Sequence, residues 1–299
     1  MKQQFLENIA DTFKTYVYAN NRKIVPSAAT LTVYRPAESA VFINAATMTV
    51  AADGLLSYAL TADNNLTRGE DYKAVIKYTF SYDSADYYFN LFYDVVKSKL
   101  VKVITDDDLV NELPQLKDNG WKARGTASSG STTTIVDSAL NRAAYPDNYF
   151  TGGTAYSVTK DETREITNFV SSTGTVTTAA FSSAISNGEK YVLTRSFGNE
   201  IQRAFEKIEE KLKRKGRYSH LVLDPYDLRE AHIMASVAEA CKGFLKDGQN
   251  SFWWELWKDY ERKADDAFNG LTLKYDASGD GIITDNEKNR RFNTIKVRF

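Results

Sequence analysis

NEIQRAFEKIEEKLKRKG, residues 199–216, sets Ile201, Phe205, Ile208 and Leu212 three or four apart, with Glu206, Lys207, Glu209, Glu210, Lys211 and Lys213 on the other faces. Apolar residues at that spacing line one stripe of a helix, so the segment predicts an amphipathic α-helix with one buried face. The basic run Lys211 to Arg217 suits a helix C-terminus, and Gly216 is a natural stop. A second helix is expected from Pro225, capped by Asp224, through Leu228, Ile233, Met234, Val237, Cys241 and Phe244. Its residues Ala231, Ala235, Ala238 and Ala240 let a neighbouring helix approach closely. A third follows the break at Gly248, capped by Ser251 and running through Phe252, Trp253, Leu256, Trp257, Tyr260, Ala264 and Phe268 to Asn269-Gly270. The block from Asn199 to Asn269 therefore reads as a small helical bundle.

Working back towards the N-terminus, the period changes to two. Thr30 to Tyr34, Val41 to Ile43, Met48 to Val50, Leu55 to Leu60, Tyr72 to Phe80 and Tyr87 to Val96 are expected strands, with tight turns at Asp53-Gly54 and Arg68-Gly69. Several short strands at this spacing predict a β-sandwich of immunoglobulin-like size over residues 1–98. ITDDDLVNELPQL, residues 104–116, has Thr105 or Asp106 as a cap, acids in its first turn and Leu109, Val110 and Leu113 on one side. It reads as a short helix ending near Pro114. Such a helix cannot bury itself, so it is expected to pack on the bundle, giving a helical domain of residues 99–125 and 196–270. Between its two parts, Thr132 to Val136, Ala155 to Thr159, Arg164 to Phe169, Thr173 to Thr177 and Lys190 to Arg195 predict five strands of an inserted small β-barrel, residues 126–195. Residues 271–299 remain as a C-terminal tail. The fold class expected is α+β and multidomain.

The chain has 299 residues, 42% of them hydrophobic, and a formal charge of −1 with no long block of one sign. Neither a nucleic-acid footprint nor a membrane-surface patch is indicated. The N-terminus lacks the apolar core of a secretory signal and no run approaches the length of a membrane helix, so a soluble protein is expected. The single cysteine, Cys241, sits at an apolar helix position and reads as a buried structural thiol. The two histidines, His220 and His232, have no nucleophile or acidic cluster beside them in sequence, and no phosphate loop, dinucleotide fingerprint, zinc spacing or nucleophile elbow occurs. No enzyme is expected.

One segment carries a specific motif. Residues 276–287, DASGDGIITDNE, follow the twelve-residue EF-hand loop: Asp276, Ser278 and Asp280 in the first three ligand places, Gly281 at the sharp turn, then the Ile282 carbonyl, Thr284 and a terminal Glu287. Calcium takes six to eight oxygens, and alternate side chains of a tight loop converge on one point. Ser278 departs from the usual Asp or Asn, the preceding Leu271 to Tyr275 alternates like a strand, and no second hand is visible. Two readings stay open: a structural calcium clasp, or a Gly-Asp-rich turn capped by Asp285 or Asn286. Two further groups are candidate partner surfaces. In the cluster Phe252, Trp253, Trp254 and Trp257, Trp253 and Trp257 share a helix face while Trp254 points elsewhere, so one wall joins the core and the other is free, making Trp254 and Trp257 candidates. The tail NTIKVRF, residues 293–299, alternates like a strand without a neighbour, with Ile295, Val297 and Phe299 on one side, and can add to another sheet.

The helix at 104–116, the block GTASSGSTTTIVDSALNRAAYPDNYFTGGTAYSVTKDETREITNFVSSTGTVTTAAF with GEKYVLTR, and the bundle segment EAHIMASVAEACKGFLKDGQ together resemble head–tail adaptor (connector) proteins of tailed bacteriophages. The middle block looks like a β module recurrent in phage structural proteins. The resemblance covers residues 104–270, and calcium binding is not a general feature of that family. It implies a homo-oligomeric, dodecameric ring in the virion neck, made in the host cytoplasm, between the portal protein and a tail or stopper protein. DNA would pass through its lumen without sequence-specific binding, and no membrane would be involved. A rival reading is a secreted or cell-surface β-sandwich module binding carbohydrate or protein, with a structural calcium loop. It predicts a signal peptide and gives no reason for the helical bundle.

Overall fold

A computed structural model describes residues 2–19, 21–36, 41–117, 121–245 and 252–288. Helix makes up 29% and strand 35%, segregated along the chain, and the class is α+β. Two compact units form, one from residues 2–101, 212–223 and 274–288, the other from 102–211 and 224–273.

The first unit carries β1 (Gln3–Leu6), β2 (Asp11–Thr15), β3 (Val17–Ala19), β4 (Arg22–Ile24), β5 (Ala28–Tyr34), β6 (Val41–Thr47), β7 (Thr49–Val50), β8 (Leu56–Leu60), β9 (Gly69–Phe80) and β10 (Asp83–Val96). A five-stranded sheet has the order β1-β10-β9-β5-β6, a three-stranded sheet the order β2-β8-β7, and β3-β4 form a hairpin. β1 runs parallel to β10, whereas β9 is antiparallel to both its neighbours. Phe5, Phe13, Leu31, Val33, Leu56, Leu60, Tyr72, Ile76 and Tyr93 are buried in one core. Tyr72 faces Tyr93 across β9 and β10, and the rings stack 5.1 Å apart. Among the described residues the buried Tyr93 hydroxyl has no hydrogen-bond partner, and burial pushes its pKa up. β5 to β10 match the six segments expected from period two. β1, β2 and β3 each carry one buried residue, Phe5, Phe13 and Val17, and a single buried position shows no period.

The second unit begins with α1 (Asp106–Glu112). The Asp108 carboxylate accepts from the Thr105 backbone N–H at 2.8 Å, and Pro114, which lacks a donor, opens a 3-10 turn. Leu109, Val110, Leu113 and Leu116 share a core with Phe197, Ile201, Val237, Cys241 and Tyr260 from beyond the intervening strands. Those strands are β11 (Lys122–Thr126), β12 (Ser129–Gly130), β13 (Thr134–Val136), β14 (Thr154–Ser157), β15 (Glu162–Val170), β16 (Thr175–Thr178) and β17 (Lys190–Thr194). They form one sheet of order β11-β17-β14-β15-β16-β13-β12, with Ile135, Phe150, Ile166, Phe169, Val176 and Leu193 in its core. The sequence yields only five strands, because β11 and β12 hold Gly125, Ser129 and Gly130, poor strand formers. Ala127 and Ser128 alone join β11 to β12, so the two ends of the strand order lie within about 11 Å along the chain.

α2 (Gly198–Arg214), α3 (Arg229–Gly243) and α4 (Phe252–Asn269) follow. Past the end of α2, Gly216 adopts φ +69° and the Arg217 N–H reaches back to the Leu212 carbonyl at 2.9 Å, a glycine C-cap. The second helix starts at Arg229 rather than Pro225, since Pro225–Leu228 form a 3-10 turn whose Tyr226 N–H is capped by the Asp224 carboxylate at 3.0 Å. Gly248 and Ser251 lie outside the described residues.

Residues 274–288 group with the first unit instead of forming a separate tail. Backbone pairing is the reason: Val222 and Tyr275 bridge antiparallel, the Leu223 N–H donates to the Lys274 carbonyl at 3.0 Å, and the Asp276 N–H to Leu221 at 2.9 Å.

Candidate functional site

The loop of residues 276–287 is built around two buried carboxylates, Asp276 and Glu287. Asp276 Oδ1 accepts from the Gly279 N–H at 2.7 Å and the Ser278 hydroxyl at 3.0 Å, and its Oδ2 from the Gly281 N–H at 2.6 Å. Glu287 Oε1 accepts from the Ala277 and Ser278 N–H groups at 2.8 and 3.2 Å, and Oε2 from the Thr284 N–H and hydroxyl at 2.9 and 2.8 Å. Both carboxylates therefore meet at Ser278. Burial pushes the Asp276 pKa up, but the Gly281 N–H, Ser278 hydroxyl and Gly279 N–H outweigh it and hold the group ionised below the usual aspartate range. The Thr284 N–H and hydroxyl do the same for Glu287, ahead of the Ser278 and Ala277 amides.

Of the six proposed ligands, Asp276, Ser278, Thr284 and Glu287 are thus drawn together. Asp280 Oδ1 accepts from the Ile282 N–H at 2.8 Å. At Ile282 the expected donor is the backbone carbonyl, to which its exposed side chain is irrelevant. Among the described residues no three His, Cys, Asp or Glu side chains are grouped as a metal site. The carboxylates at the loop's first and last places suit a hard cation by charge, but the four hydrogen bonds that Glu287 accepts occupy its four lone-pair sites, so a cation bound there would take the place of some of those donors. A short helix, α5 (Asp285–Lys288), carries Glu287.

Two residues outside the motif hold this loop. Lys97 Nζ donates to the Asp280 carbonyl at 3.0 Å, and Arg68 donates to the Gly279 carbonyl at 2.8 Å while pairing with Glu7, also at 2.8 Å. A Cβ on Gly281, whose φ is +88°, would strike Lys97 Nζ. These anchors stand 183 and 211 residues from their partners in sequence, beyond any local signal.

On α4, Trp253 packs on Phe244 with ring centroids 4.9 Å apart, and it joins the helical core together with Leu256 and Trp257. Trp254 lies off that core, edge-on to Trp257 at 4.8 Å, and Lys258 Nζ sits 4.0 Å over the Trp257 ring. Trp257 consequently belongs to the core edge as well as to the candidate partner face. Ile295, Val297 and Phe299 lie outside the described residues.

The histidines fall in different units. His232 Nε2 meets the Ile201 carbonyl at 3.0 Å in the helical core, and His220 Nε2 lies 3.4 Å from Glu70. Burial lowers both pKa values from an ordinary 6.5, against the Ile201 carbonyl at His232 and Glu70 at His220. The unfolded chain therefore binds protons that the native protein refuses. The stability this represents is complete above pH 6.5 and is lost as pH falls through the lowered native values. A melting temperature that declines between pH 7.5 and 5.5, with a shallower decline for His232→Gln, is the expected result of thermal scans. An equal slope in that variant would remove His232 from the account.

Among the described residues no helix is long and apolar enough to cross a membrane. No protein-family model matches the chain, and no curated protein matches it.

Proposed function

We propose that this chain is a structural, non-catalytic virion protein: a head–tail adaptor whose copies form a dodecameric ring between portal and tail and surround the DNA passage. The observation carrying this reading is the shared core of the second unit, in which Leu109 and Val110 of α1 join Val237 and Cys241 of α3 across seven intervening strands. Those are the three segments on which the resemblance to adaptor proteins rests. Half-buried Trp254 and Trp257 on α4 add aromatic surface suited to a partner protein.

In this reading the sheets of the first unit are an immunoglobulin-like sandwich. The seven-stranded sheet is a small barrel, since β11 and β12 are successive parts of one bent strand that meets both ends of the order. The loop is a calcium clasp with Asp276, Ser278, Asp280, the Ile282 carbonyl, Thr284 and Glu287 as ligands. Titration calorimetry with calcium is expected to give a one-site isotherm that Glu287→Gln abolishes. A flat trace for the parent protein would leave the loop a hydrogen-bonded turn.

Sedimentation of the purified protein, alone and with the portal ring of the same particle, tests the adaptor role. A ring-on-ring complex supports it. A monomer indifferent to the portal, with and without calcium, sinks it.

One observation favours the rival carbohydrate-binding reading. At the end of the β9–β10 hairpin, Phe80 and Tyr82 stack at 5.1 Å and Tyr78 and Tyr87 at 5.6 Å, with Tyr82 81% exposed. Flat exposed rings can stack on sugars. Saturable binding on a glycan array, lost in Tyr82→Ala, would move the assignment there.

A further inference from the structure

The free edge of β11 opens onto a groove. Along β11 and β17 the residue pairs hydrogen-bonded to each other include Trp121 with Arg195 and Ala127 with Glu189, through the Arg195 N–H at 2.6 Å and the Ala127 N–H at 2.8 Å. Antiparallel pairing alternates, so Lys122, Arg124 and Thr126 turn their backbone N–H and C=O groups away from β17. Among the described residues no other strand pairs with β11 on that side. A groove of about 360 Å³ runs along this edge, lined by Lys122 to Thr126, Arg142, Tyr145 and Tyr191.

The groove is cationic and has a made-to-measure floor. Lys122, Arg124 and Arg142 are exposed, and among the described residues none of them makes an ion pair. Arg142 uses only Nε, donating to the Ala139 carbonyl at 2.7 Å, which leaves its terminal amines. The one acid present, Asp137, is buried with both oxygens engaged, by the Ala139 N–H at 2.8 Å and the Tyr191 hydroxyl at 2.5 Å. Gly125 lies directly over that pair, and a side chain there would collide with both the Tyr191 hydroxyl and the Asp137 carboxylate. Glycine thereby keeps the backbone edge close to the floor and the groove open.

We propose that this groove is a docking site for an acidic, extended segment of a second protein, which adds as a strand to the free edge of β11. Unpaired backbone groups of an edge strand supply the hydrogen bonds of strand addition, and side-chain charge selects the partner. Charge complementarity determines the occupant: three unneutralised cations flank the edge. This chain's own candidate strand at residues 293–299 carries Lys296 and Arg298, the wrong sign. The proposal does not depend on the adaptor reading.

The test uses the full chain and two fluorescein-labelled hexapeptides, one alternating Glu and Val, the other Lys and Val, followed by anisotropy. Saturable binding of the acidic peptide alone is expected. Lys122→Glu with Arg124→Glu should weaken it at least about tenfold, with an unchanged melting temperature because both residues are exposed. An acidic peptide with proline at its centre should bind poorly, since strand addition needs its N–H donors. No saturable binding, equal binding of the lysine peptide, or indifference to the charge reversal would each overturn the proposal. So would undiminished binding of the proline peptide, or full competition by inorganic phosphate, either of which would reduce the site to a plain anion pocket.

Discussion

Leu109→Ala is expected to lower the stability of the chain by about 2–5 kcal/mol, the usual cost of emptying a fully packed leucine site. Leu109 is wholly buried, on a helix of seven residues. A helix that short does not persist in water by itself, so α1 exists because its apolar side is packed. Val237, Cys241 and Tyr260 of α3 and α4 belong to the same core, and alanine would leave a cavity in it. Exposed Asp107 on the opposite face provides the control, with Asp107→Ala expected to stay within about 0.5 kcal/mol of the parent. Urea titration followed by circular dichroism measures both. A Leu109→Ala loss below about 1 kcal/mol would detach α1 from the core and remove the observation on which the adaptor reading stands.

Lys160→Met is expected to cost about 3–5 kcal/mol at pH 7, because it strands a buried carboxylate. Lys160 Nζ bonds both Glu189 oxygens, at 2.9 and 2.8 Å, with the two side chains only 10% and 5% exposed. Glu189 also accepts from the Ser157 hydroxyl at 2.5 Å and the Ser186 N–H at 3.1 Å. Burial raises its pKa, but Lys160 first and then these donors outweigh burial, and the value lies below an ordinary 4.5. The stability contributed by the lowered pKa is present above pH 4.5 and is lost as pH falls through the native value. The difference between parent and Lys160→Met should therefore be greatest near neutrality and shrink in acid, where the carboxyl is protonated in both. Adding Glu189→Gln to Lys160→Met should recover part of the loss. A penalty that does not change between pH 7 and pH 3 would assign the effect to lost packing of the lysine stem.

The loop of residues 276–287 separates what spacing can and cannot establish. Asp276, Gly281 and Glu287 are legible as a motif because a tight loop needs glycine at its turn and acids at its ends. Asp280 occupies a ligand position in sequence yet bonds its own loop backbone at Ile282. Lys97 and Arg68, which hold the loop, come from distant parts of the chain and have no signature in it. For Trp253 and Trp257 the helical period gave the shared face correctly, but period alone could not say that Trp257 would also be covered by Trp254.

By itself the sequence determined the α+β class, strands β5 to β10, the bodies of helices α1 to α4 and the glycine stop at Gly216, since each follows from a local period or a local backbone requirement. Tertiary structure alone decided which residues of the bundle α1 joins, that β11 continues the sheet with a cationic edge unpaired among the described residues, and that residues 274–288 join the N-terminal unit. Those outcomes depend on contacts between residues far apart in the chain. Such contacts are selected by which buried surfaces and unpaired backbone groups can satisfy one another, and no short window of sequence contains both partners.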